Sequence, residues 1–107
     1  MGRKTFDKLF LEAVDEALAS LGDSAKQAIY FHLERKFDIR KSEIPYHVED
    51  FAKGLEKIFG LGAQFIEILV MKRLYQTIGQ PLEWDEDREL VFAEYVVAAK
   101  RSFQKRN

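Results

Sequence analysis

The chain has no cysteine, which removes disulfides, thiolate metal sites and cysteine nucleophiles together. Net charge is nearly as scarce. Seventeen Lys plus Arg against eighteen Asp plus Glu leave −1, so no global field draws the protein to nucleic acid or to an anionic membrane, and any such binding must come from a local patch. No apolar run approaches the roughly 20 residues that a bilayer demands. In the greasiest stretch, Glu67, Lys72 and Arg73 confine the longest uncharged apolar run to residues 68–71. No apolar leader follows Met1-Gly2-Arg3-Lys4, and that predicts a cytoplasmic protein. Internal repeats, low-complexity tracts and extended strand-like alternation are missing. So are a phosphate-cradling glycine loop, a nucleophile elbow, an HExxH pair and an EF-hand loop. No cofactor or metal is expected.

What the chain does have is apolar bulk under a charged surface: 47% hydrophobic residues, nine Phe and 33% charged residues in 107. That composition predicts one globular domain over residues 1–107, with a radius near ~13 Å. Its centre is expected in residues 65–78, within a helix of about 63–78. At 100° per residue the apolar side chains there fill most of the circumference, leaving one polar strip of Lys72, Arg73 and Gln76. A helix that apolar needs neighbours on several sides. The expected fold is therefore all-α, a five-helix bundle around that central helix.

The other four helices follow from periodicity. Phe6, Leu9, Phe10, Ala13, Val14, Ala17, Leu18 and Leu21 make an i, i+3, i+4, i+7 stripe that begins near Thr5 and stops at Gly22. Ser24 and Gln27 read as a capping box opening a second helix. It presents Ala25, Ala28, Ile29, Leu33 and Phe37, with Tyr30 and Phe31 widening the arc. Residues 38–46 read as a loop, with Ile44 extended ahead of Pro45. Val48, Phe51, Ala52, Leu55, Ile58 and Phe59 define a third helix, in which Gly54 borders the apolar face and points to close approach of another helix. Gly79 and Pro81 close the central helix. A last helix starts near Trp84 or Asp85, acidic at its beginning through Asp85, Glu86, Asp87 and Glu89, basic at its end. Residues 90–99 carry a single charge, Glu94, more apolar surface than a helix on a monomer's rim needs.

Three sets of residues are candidates for function. Glu67 sits inside the apolar arc of the central helix, where a carboxylate must pair, reach solvent or take up a proton. His32 lies on the inward side of the second helix, and a His32–Glu67 contact would satisfy both groups. Leu90, Val91, Phe92, Tyr95, Val96 and Ala99 are the candidate interface for a second copy or another protein. Lys100, Arg101, Lys105 and Arg106 are the candidate nucleic-acid contact, although complementarity to the helix dipole explains the same charges at lower cost.

From residue 18 to about 74, the run Ser20-Leu21-Gly22-Asp23-Ser24-Ala25-Lys26-Gln27-Ala28-Ile29-Tyr30-Phe31-His32-Leu33-Glu34, then Ile44-Pro45, then Phe51-Ala52-Lys53-Gly54-Leu55-Glu56-Lys57-Ile58-Phe59-Gly60-Leu61-Gly62-Ala63, resembles a family of small archaeal helical domains of unknown function. The same family is described as a Nitrosopumilus output domain, found appended to sensor modules. The resemblance covers about half of the chain. It implies an archaeal source and a place at the output end of signalling, and carries over no catalytic residues. Tyr30, His32 and Glu34 belong to the matching motif and, with Glu67, form the candidate polar site.

The functional expectation is a non-enzymatic helical interaction or regulatory output module, homodimeric through the last two helices. The alternatives are a nucleic-acid-binding regulator using the basic tail and a small acid/base enzyme built on Glu67 and His32 in an interhelical pocket.

Overall fold

A threonine hydroxyl starts the fold. Thr5 Oγ1 accepts the Lys8 amide at 3.2 Å, and Asp7 in the first turn opposes the positive end of the dipole, setting α1 at Phe6–Ala19. The computed structural model describes residues 5–83 and 91–106. Phe6, Phe10, Ala13, Val14, Ala17 and Leu18 of α1 are buried, the face that a 3.6-residue period places together.

The turn into α2 (Asp23–Phe37) differs from the expected one. Gly22, at φ 106°, accepts the Lys26 amide at 3.0 Å and is itself the cap residue, so Ser24 falls inside the first turn and no side chain caps the helix. The positive φ that glycine alone adopts cheaply moves the helix start ahead of the Ser24–Gln27 box. α2 ends on Asp38 in the left-handed conformation, with the Ile39 amide donating to the Leu33 carbonyl at 3.1 Å. This is a Schellman closure, and Ile39 is the buried apolar residue that accompanies it.

A second difference lies at Ile44-Pro45, which the structure places inside a 3₁₀ helix at Lys41–Tyr46 rather than in an extended segment. Proline lacks an amide, but the i→i+3 bonds from Glu43 to Arg40 at 2.9 Å and from His47 to Ile44 at 3.1 Å do not need it. Ile44 is fully buried. Burial of that side chain outweighs the local preference of a residue before proline.

α3 runs Val48–Phe59 with Glu49 and Asp50 in its first turn. A Cβ added at Gly54 would stand 2.7 Å from Leu33 Cδ2, so the glycine does mark the close approach of α2. A short 3₁₀ turn, Gly60–Gly62, leads into α4 (Ala63–Ile78), which Gly79 ends at φ 74° while the Gln80 amide reaches the Tyr75 carbonyl at 3.0 Å. α5 is Phe92–Arg106. The expected start of that helix at Trp84 or Asp85, and its acidic first turn, lie outside the described residues, as does Leu90.

Among the described residues there are five α-helices and no strand, an all-α bundle with α4 at its centre. Val70, Met71 and Leu74 of α4 are wholly enclosed. α4 packs most extensively on α1, then on α5 and α3. α2 instead rides over α1 and α3, so three helices rather than four do most of the sheathing. In keeping with that outer position, α2 buries only Ile29 and Leu33 fully, and Ala28 and Phe31 face solvent. Tyr75 Oη donates to the Tyr95 carbonyl at 2.7 Å and Arg73 pairs with Glu16, tying α4 to α5 and to α1. Burial holds the Tyr75 hydroxyl above its ordinary pKa, and Tyr95 adds to the effect. The Cα radius of gyration is 13.5 Å. Among the described residues, no helix is long and apolar enough to cross a membrane.

Candidate functional site

The four residues of the candidate polar site are not brought together. Successive side chains on a helix turn by 100°, which sends Tyr30 and His32 about 160° apart around α2. Tyr30 turns toward α1, where its hydroxyl donates to Asp15 Oδ1 at 3.1 Å. His32 stays partly buried with its ring 6.0 Å from that of Phe31. Glu34 is exposed, 3.9 Å from Arg40. Glu67 lies on α4, and the charged group that acts on it is Glu56 rather than His32. Neither His32 nor Glu67 lines the clefts of described residues set out below.

Tyr30 instead belongs to a cluster that sequence reasoning missed. Lys41 Nζ lies 3.1 Å from Asp15 Oδ1 and 5.1 Å from the centre of the Tyr30 ring, and Lys26 Nζ lies 3.5 Å from Asp15 Oδ2. Burial pushes the Asp15 carboxyl upward, but hydrogen bonds from Lys41 and Tyr30 and the charges of both lysines outweigh it, leaving its pKa below the ordinary value. Burial, followed by the Asp15 charge and hydrogen bond, holds the Tyr30 hydroxyl far above its ordinary range. The cluster opens onto a cleft of about 430 Å³ lined by Lys8, Leu11, Glu12, Asp15, Glu16 and Lys41. Two lysines against three carboxylates leave no strong field in it, and the visible work of the cluster is to clip α1, α2 and the Lys41–Tyr46 turn to one another. The hydrogen-bond partners Tyr30 and Lys41 are 15 and 26 residues away from Asp15 in sequence. No spacing within α1 signals them, since Asp15 reads there as part of the solvent face.

Glu67 is the one buried charged residue among those described, 6% exposed. Among the described residues its carboxylate has no hydrogen-bond or ion-pair partner, yet no fully enclosed side-chain oxygen is left without one, so the carboxyl reaches the edge of the core and touches solvent. Burial, with the nearby Glu56 charge, pushes its pKa up to about 7. Among the described residues, no group of three or more His, Cys, Asp or Glu is placed to hold a metal.

The candidate interface residues divide between the inside and the outside. Phe92, Val96 and Ala99 fill the chain's own core, Phe92 within 6.2 Å of the rings of both Phe10 and Phe51. These three are corrected from interface to core, because the apolar side of α5 is spent on α1, α3 and α4. Tyr95 is half-buried and Val91 is exposed. The free apolar surface lies on the other side of α5, where sequence periodicity had not placed it. Pro45, Tyr46, Val48, Ala93 and Val97 line a cleft of about 350 Å³, in which Tyr46 is 72% and Val97 49% exposed. A second cleft of about 320 Å³ continues it along α5 through Glu49, Ala93, Glu94, Val97, Ala98 and Arg101. A separate apolar spot sits at the α3–α4 corner, where Leu61 is fully exposed and Phe65, expected inside the central helix's apolar arc, is 62% exposed.

Of the candidate nucleic-acid contacts, Lys100, Arg101 and Lys105 are exposed on α5, and the helix includes Arg106. Arg101 shares its cleft with Glu49 and Glu94, whose charges offset its attraction for phosphate. No family model, curated protein or solved structure matches the chain.

Proposed function

We propose that this protein is a non-enzymatic helical interaction module that acts as a homodimer, in the manner of a regulatory output domain. The observation that carries the reading is the continuous groove between residues 46–50 and the outer side of α5. A tyrosine and a valine lie open there, at the centre of a surface otherwise ringed by charge. Exposed contiguous apolar area of this kind marks a partner site more often than it marks chance. The regulatory part of the reading rests on the resemblance noted from residue 18 to about 74 alone, since no family model matches the chain. Tyr30 is engaged in holding elements together, His32 turns to the opposite side of α2 and Glu67 lies on α4, which favours a surface over a pocket as the functional feature.

Sedimentation velocity over a concentration series tests it. The expected result is a reversible species of twice the 12.5 kDa chain mass, dominant at about 10 µM and above, the affinity range of interfaces of modest area. A single 12.5 kDa species throughout would overturn the homodimer.

A further inference from the structure

Once the core is filled, one face of α5 is left over. Phe92, Val96 and Ala99 turn inward, while Glu94, Val97, Ala98, Arg101 and Lys105 are all exposed. At 100° per residue these five fall within an arc of about 100°, so they form one stripe along the helix. Glu94 and Arg101 stand two turns apart, about 10 Å along the axis, with Val97 and Ala98 midway between them. Among the described residues neither charged side chain has an ion-pair partner. Glu49 lines the same cleft and adds a second carboxylate. The stripe thus has an acidic end, a small apolar middle and a basic end.

A surface patterned in that way is complementary to itself turned end for end. Resting on the self-association proposed above, we infer that two copies dock α5 against α5 in antiparallel fashion, about a two-fold axis passing between Val97 and Ala98. In that register each Glu94 faces the partner's Arg101, and each Val97 meets the partner's Ala98. Side chains as small as these let helix axes approach to about 8 Å, the near end of the usual range. A parallel arrangement would set glutamate against glutamate and arginine against arginine, which selects against it. The paired charges fix register and orientation more than affinity. Affinity comes from covering Val97 and the apolar groove that Tyr46 borders.

The test is sedimentation of five samples: the wild-type chain, Glu94→Arg, Arg101→Glu, the double variant, and an equimolar mixture of the two single variants. Each single reversal alters both two-fold-related contacts and is expected to raise the dimer Kd by about tenfold or more. The double variant restores the wild-type Kd. The mixture restores it as well, because a chain with two arginines and a chain with two glutamates recover both opposite-charge contacts between them. Both sites are exposed, and far-UV circular dichroism with a thermal melt checks that each variant is folded. A wild-type dimer that ignores the single reversals, or singles that the mixture fails to rescue, would overturn this docking while leaving the homodimer reading intact. A wild-type chain that is monomeric at every concentration would overturn both.

Discussion

Phe10→Ala is expected to destabilise the fold by about 3–5 kcal/mol, the range for removing a large aromatic side chain from a core that relaxes only in part. Phe10 is fully buried on α1, the helix with the largest contact on α4. Its ring lies 6.3 Å from that of Phe6 and 6.2 Å from that of Phe92, joining α1 to α5. The truncation leaves a void that three helices share, and none of them can fill it without leaving its other contacts. Against a total stability of about 5–15 kcal/mol for a domain, that loss is a large fraction. For a domain of this length it lowers the melting temperature by roughly 15–30 °C. Urea denaturation checks it: the midpoint should fall with the slope unchanged. A loss below about 1 kcal/mol would mean that the α1–α4 seam is not the centre of the core.

Glu67→Gln is expected to stabilise the protein above neutral pH and to leave it nearly unchanged at pH 4. The carboxyl has its folded pKa raised from 4.5 to about 7, because burial disfavours the ion and the Glu56 charge disfavours it further. The folded chain therefore binds a proton that the unfolded chain has already released between those two values. Stability from this group is fully present below about pH 4.5, declines as pH rises through 7, and then levels off. A shift of that size corresponds to roughly 3 kcal/mol as an upper bound, and the effect is smaller because the carboxyl still touches solvent. Glutamine keeps the shape and has no ion to bury. The measurement is chemical denaturation of both proteins from pH 4 to pH 9. The wild-type curve should slope downward through the window and the variant curve should lack that component. Glu56→Gln should move the wild-type midpoint toward lower pH. Parallel curves for wild type and Glu67→Gln would show that Glu67 is hydrated as an ordinary surface carboxylate.

Periodicity revealed α1, α3 and α4 well, since each carries an unbroken stripe that no competing signal disturbs. It was less informative where a local motif competed with something distant. The Ser24–Gln27 box is a sound start signal, yet Gly22 begins the helix earlier by taking a conformation other residues avoid. Ile44 ahead of Pro45 has a local bias to extension, yet its full burial wins. On α5 the composition is apolar nearly all round, and composition alone does not say which side the chain keeps for itself. The core takes Phe92, Val96 and Ala99, and the open side is the smaller and more polar stripe through Val97. The polar candidates do not gather for a plainer reason: Tyr30 and Glu34 share one side of α2, but His32 turns about 160° away from both and Glu67 belongs to another helix. The cluster that did form joins Asp15 to residues 15 and 26 positions away, a distance over which one sequence carries no phase information.

Residue-resolved hydrogen exchange at neutral pH tests most directly whether α4 is the element that the other helices enclose. The amides of Val70, Met71 and Leu74 should exchange only through global unfolding, more slowly than any in α2, whose outer face is open to water. If α4 exchanges as fast as α2, or faster, the central helix is not the spine of this fold.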